Sequence, residues 1–392
     1  MINLFYILFA LSFNIKANFI GELYLVQIFI ILISIYFFFN NSFKLKLLDY
    51  EKRILFLIIL WFINQIFSDY INKTIFNDFV RGNIKILITY LSFYSFFKIS
   101  KIKEISLLKI LFWVSFFQII FLFFINKDGF NLNWKMGGGV SITISLIIFF
   151  RLYYKKNDTN NLMIILLTTI GIASLSFETR FLFLFNFMVI FYIIVIEKFR
   201  IKKILTIFIL TIFFYYLMSN IYQVIISNEL LPDALIIKQE IQSNELGFLL
   251  GGRNEFISSF AAIKDSPWLG HGSWAKNCDY VYLKYDVMID LDPSAKLRLG
   301  DCLIPTHSII FGSWVTSGIF GFIFWLHITF KIFKKIINDI ILNNQQMVLI
   351  FFLGILLIWD FLFSPYGALR MVLIPLYIVI ILLTNKDKKN SF

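Results

Sequence analysis

The sequence predicts an all-α polytopic membrane protein, with about 12 transmembrane helices and one large polar loop late in the chain. Three observations predict it. The 392 residues are 59% hydrophobic and only 15% charged, with a mean hydropathy of +0.81, more apolar than a soluble domain tolerates. Apolar runs recur along the whole length at intervals of about thirty residues. The cations gather in the connections between those runs.

Taken in order, the apolar runs place spans near 3–15, 22–40, 54–68, 84–97, 107–125, 138–153, 162–177, 181–196, 204–225, 307–330, 347–362 and 370–384. Three regions follow: transmembrane helices 1–9 over 1–225, a large loop over 226–306, and helices 10–12 with a tail over 307–392. Alternate connections carry the cations: Lys44, Lys46, Lys52 and Arg53; Lys98, Lys101 and Lys103; Arg151, Lys155 and Lys156; Lys198, Arg200, Lys202 and Lys203; Lys331, Lys334 and Lys335; and the tail Lys386, Lys388 and Lys389. By the positive-inside rule these face the cytoplasm, which puts both termini inside and the 226–306 loop outside. The first run is short enough for a signal-peptide core, but no small-residue cleavage site follows Asn14, so it is read as a helix.

The net charge of +12 and the aromatic content of 19% do not indicate nucleic acid. The charges lie between spans, and Phe residues such as Phe121 to Phe124 sit inside apolar runs, facing lipid or other helices. Walker-type glycine patterns, zinc-ligand spacings, Ser/His/Asp motifs and repeats of 20–50 residues are missing from the sequence, which excludes most primary pumps and ordinary hydrolases. Cys278 and Cys302 both fall in the outer loop, an oxidising compartment on this topology, where they can form a disulfide; two free thiols are the alternative.

Polar groups at the outer ends of helices are the candidates for function, because charges near a bilayer are costly. Ser174-Leu-Ser-Phe-Glu-Thr-Arg180 is an almost loopless outer turn that holds Arg180 near the membrane surface; a snorkelling arginine is the simpler alternative. Gly251-Gly-Arg-Asn-Glu-Phe256 begins an amphipathic helix, with Phe256, Phe260 and Ile263 at helical spacing, ended by Asp265-Ser-Pro267. Arg253 therefore sits near a helix start, where backbone donors and a guanidinium together suit a phosphate. Trp268-Leu-Gly-His-Gly-Ser-Trp274 follows, a turn-rich segment whose aromatic ends suit the membrane interface or a sugar ring. Asp301-Cys-Leu-Ile-Pro-Thr-His-Ser308 closes the loop. It places His307 at the mouth of a span, where an imidazole can take a proton from a hydroxyl or simply pack. His327 reads as structural and His271 as ambiguous.

Glu178-Thr-Arg180, then Gly252-Arg253 with Lys264-Asp-Ser-Pro-Trp-Leu-Gly-His-Gly272, then Pro305-Thr-His-Ser308 with Gly318-Ile-Phe-Gly321 resemble, in order and spacing, the O-antigen polymerase and O-antigen ligase superfamily. The resemblance runs from about Trp134 to the C-terminus. It implies a membrane glycosyltransferase of the bacterial inner membrane that takes a glycan from an undecaprenyl diphosphate carrier at the periplasmic face, without a metal, a cofactor or a nucleotide sugar. It also implies that Arg180 and Arg253 are the functional arginines and His307 the essential histidine; Ser308 departs from the asparagine often found there. Guanidinium forks suit a departing diphosphate. Lys135, His271 and Trp274 are weaker candidates for contacts to diphosphate or glycan.

Four readings of function stand at this level. A polymerase joins a growing glycan to a carrier-linked repeat unit and implies a chain-length regulator as partner. A ligase uses the same donor but lipid A core as acceptor. A lipid-linked glycan flippase expects ionisable groups or broken helices near the bilayer midplane and internal repeats. The fourth reading is a purely structural membrane subunit. The polymerase is preferred, on the Thr306-His-Ser308 pattern and on Asp279, Asp286, Asp290 and Asp292 in the loop.

Overall fold

The computed structural model describes residues 2–18, 22–40, 45–102, 105–125, 133–153, 160–177, 179–196, 216, 255–289, 302–342 and 347–383. Helix α1 (Ile2–Leu11) leads into a short antiparallel ribbon, β1 (Lys16–Asn18) and β2 (Glu22–Tyr24). There follow α2 (Leu25–Phe39), α3 (Asp49–Ile71), α4 (Phe76–Ile99), α5 (Leu107–Ile120), α6 (Gly139–Tyr153), α7 (Asn160–Ser176) and α8 (Arg180–Phe191). The late part of the chain supplies α9 (Glu255–Asp265), α10 (Cys278–Ile289), α11 (Ile309–Leu342), α12 (Met347–Phe363) and α13 (Arg370–Leu383). Single π-turns extend α5 (Phe121–Ile125) and α8 (Tyr192–Ile196), and another, Trp134–Gly138, precedes α6.

The protein is thus an all-α membrane protein, and a helix occupies each expected span except 204–225, which apart from Tyr216 lies outside the described residues. Among the described residues, three helices are long and apolar enough to cross a membrane: Asp49–Ile71, Leu107–Ile125 and Ile309–Asn338. Several boundaries differ from the hydropathy reading. Helix α4 begins at Phe76 rather than at 84, because Asp78, Arg81 and Asn83 are paired within the protein and so do not end the helix. Helix α11 runs on to Leu342; Lys331, Lys334 and Lys335 mark where the apolar run stops, and a helix with solvated lysines can continue beyond it. Helix α1 stops at Leu11, where Ser12 turns its hydroxyl back onto the Phe9 carbonyl at 2.6 Å and the chain passes into the ribbon.

Helix α3 lies against α4 and α11, α11 against α12, and α13 against α4, while α7 pairs with α8 and α5 with α1 and α6. In lipid, burial gains little from the hydrophobic effect, so close packing and interhelical hydrogen bonds hold the bundle. The buried rings of Trp61, Phe324 and Trp325 supply the packing: Trp61 stacks on Phe324 at 5.3 Å, and Trp325 meets Phe361 at 5.1 Å. The Trp61 indole N–H donates to the Ser317 hydroxyl at 2.6 Å, and the Ser34 and Ser95 hydroxyls pair at 2.7 Å. At the other end of the bundle the buried Glu51 carboxylate caps α3 through the Leu48 N–H at 2.7 Å and pairs with Lys101 at 2.5 Å.

Candidate functional site

The centre of the site is built on a break in α11. Ser317 and Gly318 leave helical geometry (φ 63°, ψ −155° at Gly318), a conformation reached almost only by glycine. A Cβ at Gly318 would collide with the Trp268 carbonyl. The break frees backbone groups of α11, and the Trp268–Trp274 turn takes them up. His271 N–H donates to Val315 O at 2.7 Å and Gly272 N–H to Thr316 O at 3.1 Å, while Ile319 N–H donates to Trp268 O at 3.3 Å. Gly270, with φ +78°, comes so close to the break that a Cβ there would sit 2.6 Å from the Gly318 nitrogen. Two glycine-rich motifs separated by some fifty residues therefore form one interlocked unit, which pairs backbone groups that the break frees.

Helix α3 holds this unit with one polar face. Asn64, Gln65, Ser68, Asp69 and Asn72 fall at helical spacing on a single side. Asn64 donates to Ser317 O, Ser68 Oγ donates to Thr316 O at 3.0 Å, and Asn72 donates to Gly270 O at 3.1 Å. Asp69, 2% exposed, accepts from Ser273 N–H at 2.5 Å, Ser273 Oγ at 2.9 Å, Asn83 Nδ2 at 2.8 Å and Thr74 Oγ1 at 3.1 Å. Four donors on one buried carboxylate satisfy it without a counter-ion.

Helix α9 packs beside this turn against α11, with Phe256 and Phe260 on Phe311 at 5.5 and 5.0 Å. The amphipathic face expected from sequence is thus the face that docks. At the end of α9 the Tyr280 hydroxyl of α10 donates to Asp265 Oδ2 at 2.5 Å, and burial followed by this bond pushes the phenol up to about 12. Cys278 and Cys302 are joined in a disulfide. Beside it, Asn277 N–H donates to Cys302 O at 2.8 Å and Ile304 N–H to Ala275 O at 3.0 Å, which fixes the strand leading to His307. Ser259 adds a bond to Pro305 O at 3.2 Å.

His307 emerges from this strand with its side chain 52% exposed, and its Nδ1 lies 3.9 Å from Glu255 Oε1 at the first residue of α9. Ser308 is the N-cap of α11: its Oγ accepts from Phe311 N–H at 3.2 Å and donates to Phe361 O at 2.8 Å. Asparagine and serine cap helices about equally well, so the departure at this position keeps the local geometry.

The Trp359–Phe363 end of α12 is where segments that carry several of the candidates meet. Its Trp359 stacks on Phe181 at 5.5 Å, next to Arg180 at the start of α8. Its Phe361 carbonyl receives Ser308, next to His307. Its Phe363 meets Phe256 at 5.9 Å, in the first turn of α9. Its Asp360 lies 3.8 Å from Arg370, the first residue of α13. Arg180 and His307 thus flank one helix end, and Glu255, two residues after Arg253 in sequence, opens α9 at the same place. Arg253 itself lies outside the described residues. Lys135 lies in the π-turn before α6.

The weaker candidates fall elsewhere. His271 sits inside the interlocked turn, its Nε2 2.7 Å from Ala262 O and its ring 5.5 Å from Tyr280. Trp274, 44% exposed, has the Arg81 guanidinium 4.9 Å over its ring. Glu255, Asp69 and Arg81 escaped the sequence reading. The visible signal was the run of polar residues from Asn64 to Asn72 inside and just beyond an expected span, where such residues are expensive.

The fold and this arrangement define an all-helical membrane protein whose polar and aromatic groups converge on one end of the bundle. Residues 131–326, half of the chain, match the sequence profile of the O-antigen ligase family, and the chain belongs to that family. The matched region runs from just before α6 through the break in α11. No curated protein and no solved structure matches the chain.

Proposed function

We propose that this protein is an O-antigen polymerase of the bacterial inner membrane. The observation that carries the reading is the meeting of the start of α8, the segment of His307 and Ser308, and the start of α9 at one end of α12. In the proposed reaction an acceptor hydroxyl of a carrier-linked repeat unit attacks the anomeric carbon of the growing glycan. The bond from that carbon to the undecaprenyl diphosphate oxygen breaks, and the diphosphate leaves with the electron pair. Arg180 and Arg253 meet its charge through forked donors, without a metal. The hydroxyl proton passes to His307, whose half-exposed imidazole is open to a substrate. Twelve spans, cytoplasmic termini, a periplasmic site and a chain-length regulator docked on the outer helix ends complete the proposal.

The ligase is the second reading, favoured by the description of the matching family. A flippase is less well supported. The break in α11 is the feature it expects, but the Trp268–Trp274 turn and the α3 polar face fill that break with protein hydrogen bonds. The test is the lipopolysaccharide profile of the host with this gene deleted. A core carrying a single repeat unit means that ligation survives and this protein polymerises. A bare core with long glycans held on the carrier makes it the ligase.

A further inference from the structure

Lys85 is a cation that the proposed chemistry does not use. It projects from α4 one turn inward of Arg81 and one turn outward of Thr89, so the three share a face. Its neighbours on that face are engaged: Arg81 pairs with Asp78 at 3.6 Å and covers Trp274, and Thr89 shares a 2.5 Å hydrogen bond with the Tyr366 hydroxyl. The nearby acids are engaged as well. Asp360 faces Arg370 at 3.8 Å, and the four donors on Asp69 leave it no lone pair for a direct ammonium contact. Among the described residues Lys85 makes no ion pair; its half-buried ammonium lies 6.0 Å from the centroid of the Tyr366 ring. Arg370, at the end of the turn that holds Tyr366, donates to Pro365 O at 3.3 Å.

A partly buried ammonium without a direct ion pair is costly near a bilayer, and an ionisable group kept there points to a function. The amine lies over the Tyr366 ring. We propose that Lys85, backed by Tyr366 and bordered by the Arg81–Trp274 pair, is an anion subsite that takes the phosphate of a lipid-phosphate head. An ammonium serves a phosphate as a compact point charge. The assignment of that head to the acceptor's carrier rests on the polymerase reading, because only a polymerase holds two carrier diphosphates at once.

The test uses the full chain in phosphatidylcholine nanodiscs, with undecaprenyl diphosphate as probe, counted by native mass spectrometry. The wild type is expected to bind two molecules. Lys85→Gln is expected to lose one of them or to bind it about tenfold more weakly, and Lys85→Arg to retain both. Equal number and affinity in Lys85→Gln and wild type overturns the subsite. Should Lys85→Gln not fold, acetylation of Lys85 in the wild-type protein replaces it: protection by undecaprenyl diphosphate supports the site, and unchanged labelling overturns it. Displacement of the second molecule by phosphatidylglycerol supports the site and assigns it to a bilayer phospholipid; resistance to displacement assigns it to the carrier. A bare core in the deletion strain would remove the polymerase reading while leaving this binding result standing.

Discussion

Asp69 of α3 accepts hydrogen bonds from both the backbone N–H and the hydroxyl of Ser273, at 2.5 and 2.9 Å, across 204 residues of sequence. Replacing it with asparagine keeps the shape but turns one acceptor oxygen into a donor that faces donors already in place. Asp69→Asn is therefore expected to destabilise the protein by about 2–4 kcal/mol. Because the Trp268–Trp274 turn is held from here, loss of glycan product should accompany the loss of stability. Thermal unfolding in detergent measures the first and the gel profile of the glycan the second; a variant with wild-type values in both removes Asp69 from this role.

The disulfide closes the stretch from Cys278 to Cys302, and the strand beyond Cys302 ends at His307. A cross-link over a loop of this length stabilises by roughly 3 kcal/mol in the chain-entropy account. The Cys278→Ser, Cys302→Ser double variant should insert normally, unfold earlier and lose part of its activity through a looser approach to His307. Under non-reducing conditions the wild-type protein should resist alkylation at both cysteines, which mass spectrometry reads directly.

Hydropathy makes the helices legible because a bilayer demands apolar runs of a fixed length, and it misreads their ends: that of α4, where polar side chains pair inside the protein, and those of α1 and α11. The motif order proposes Arg180 and His307, the second of which the His307→Ala substitution below tests. What one sequence does not disclose is pairing at a distance. Asn64 to Asn72 look like the worn end of a span until the Trp268–Trp274 turn arrives to use them. Gly318 looks like one more small residue in an apolar helix until its φ of +63° and the Trp268 carbonyl fix why a side chain is excluded. Lys85 does not stand out in the sequence, because nothing local to it there shows that the neighbouring acids are already engaged.

The Tyr280–Asp265 bond gives a pH dependence. Tyr280 in the folded protein is pushed up to about 12, by burial first and by Asp265 second, from an ordinary value of 10.0. The folded state therefore holds this proton more tightly than the unfolded one. The contribution is fully present below pH 10 and fades as pH rises from 10 through about 12. Tyr280→Phe should lose about 1–2 kcal/mol at neutral pH and should flatten this alkaline decline in unfolding temperature. An alkaline decline identical in Tyr280→Phe and wild type would show that other groups cause it.

Glu255 and His307 stand 3.9 Å apart, with the carboxylate 17% and the imidazole 52% exposed. A carboxylate in that position can orient an imidazole toward a substrate. If His307 is the base, His307→Ala should cost about 10²–10⁴ in kcat. Glu255→Gln should cost less, with KM nearly unchanged, because it acts on the histidine rather than on the substrate. Arg253→Lys should behave differently. It keeps the charge and loses the fork, so a diphosphate contact there shows as a fall in kcat together with weaker carrier binding. The comparison separates the roles even where all three variants are slow. If Glu255→Gln raises KM as much as Arg253→Lys, the carboxylate belongs to the substrate site itself and not to the orientation of His307.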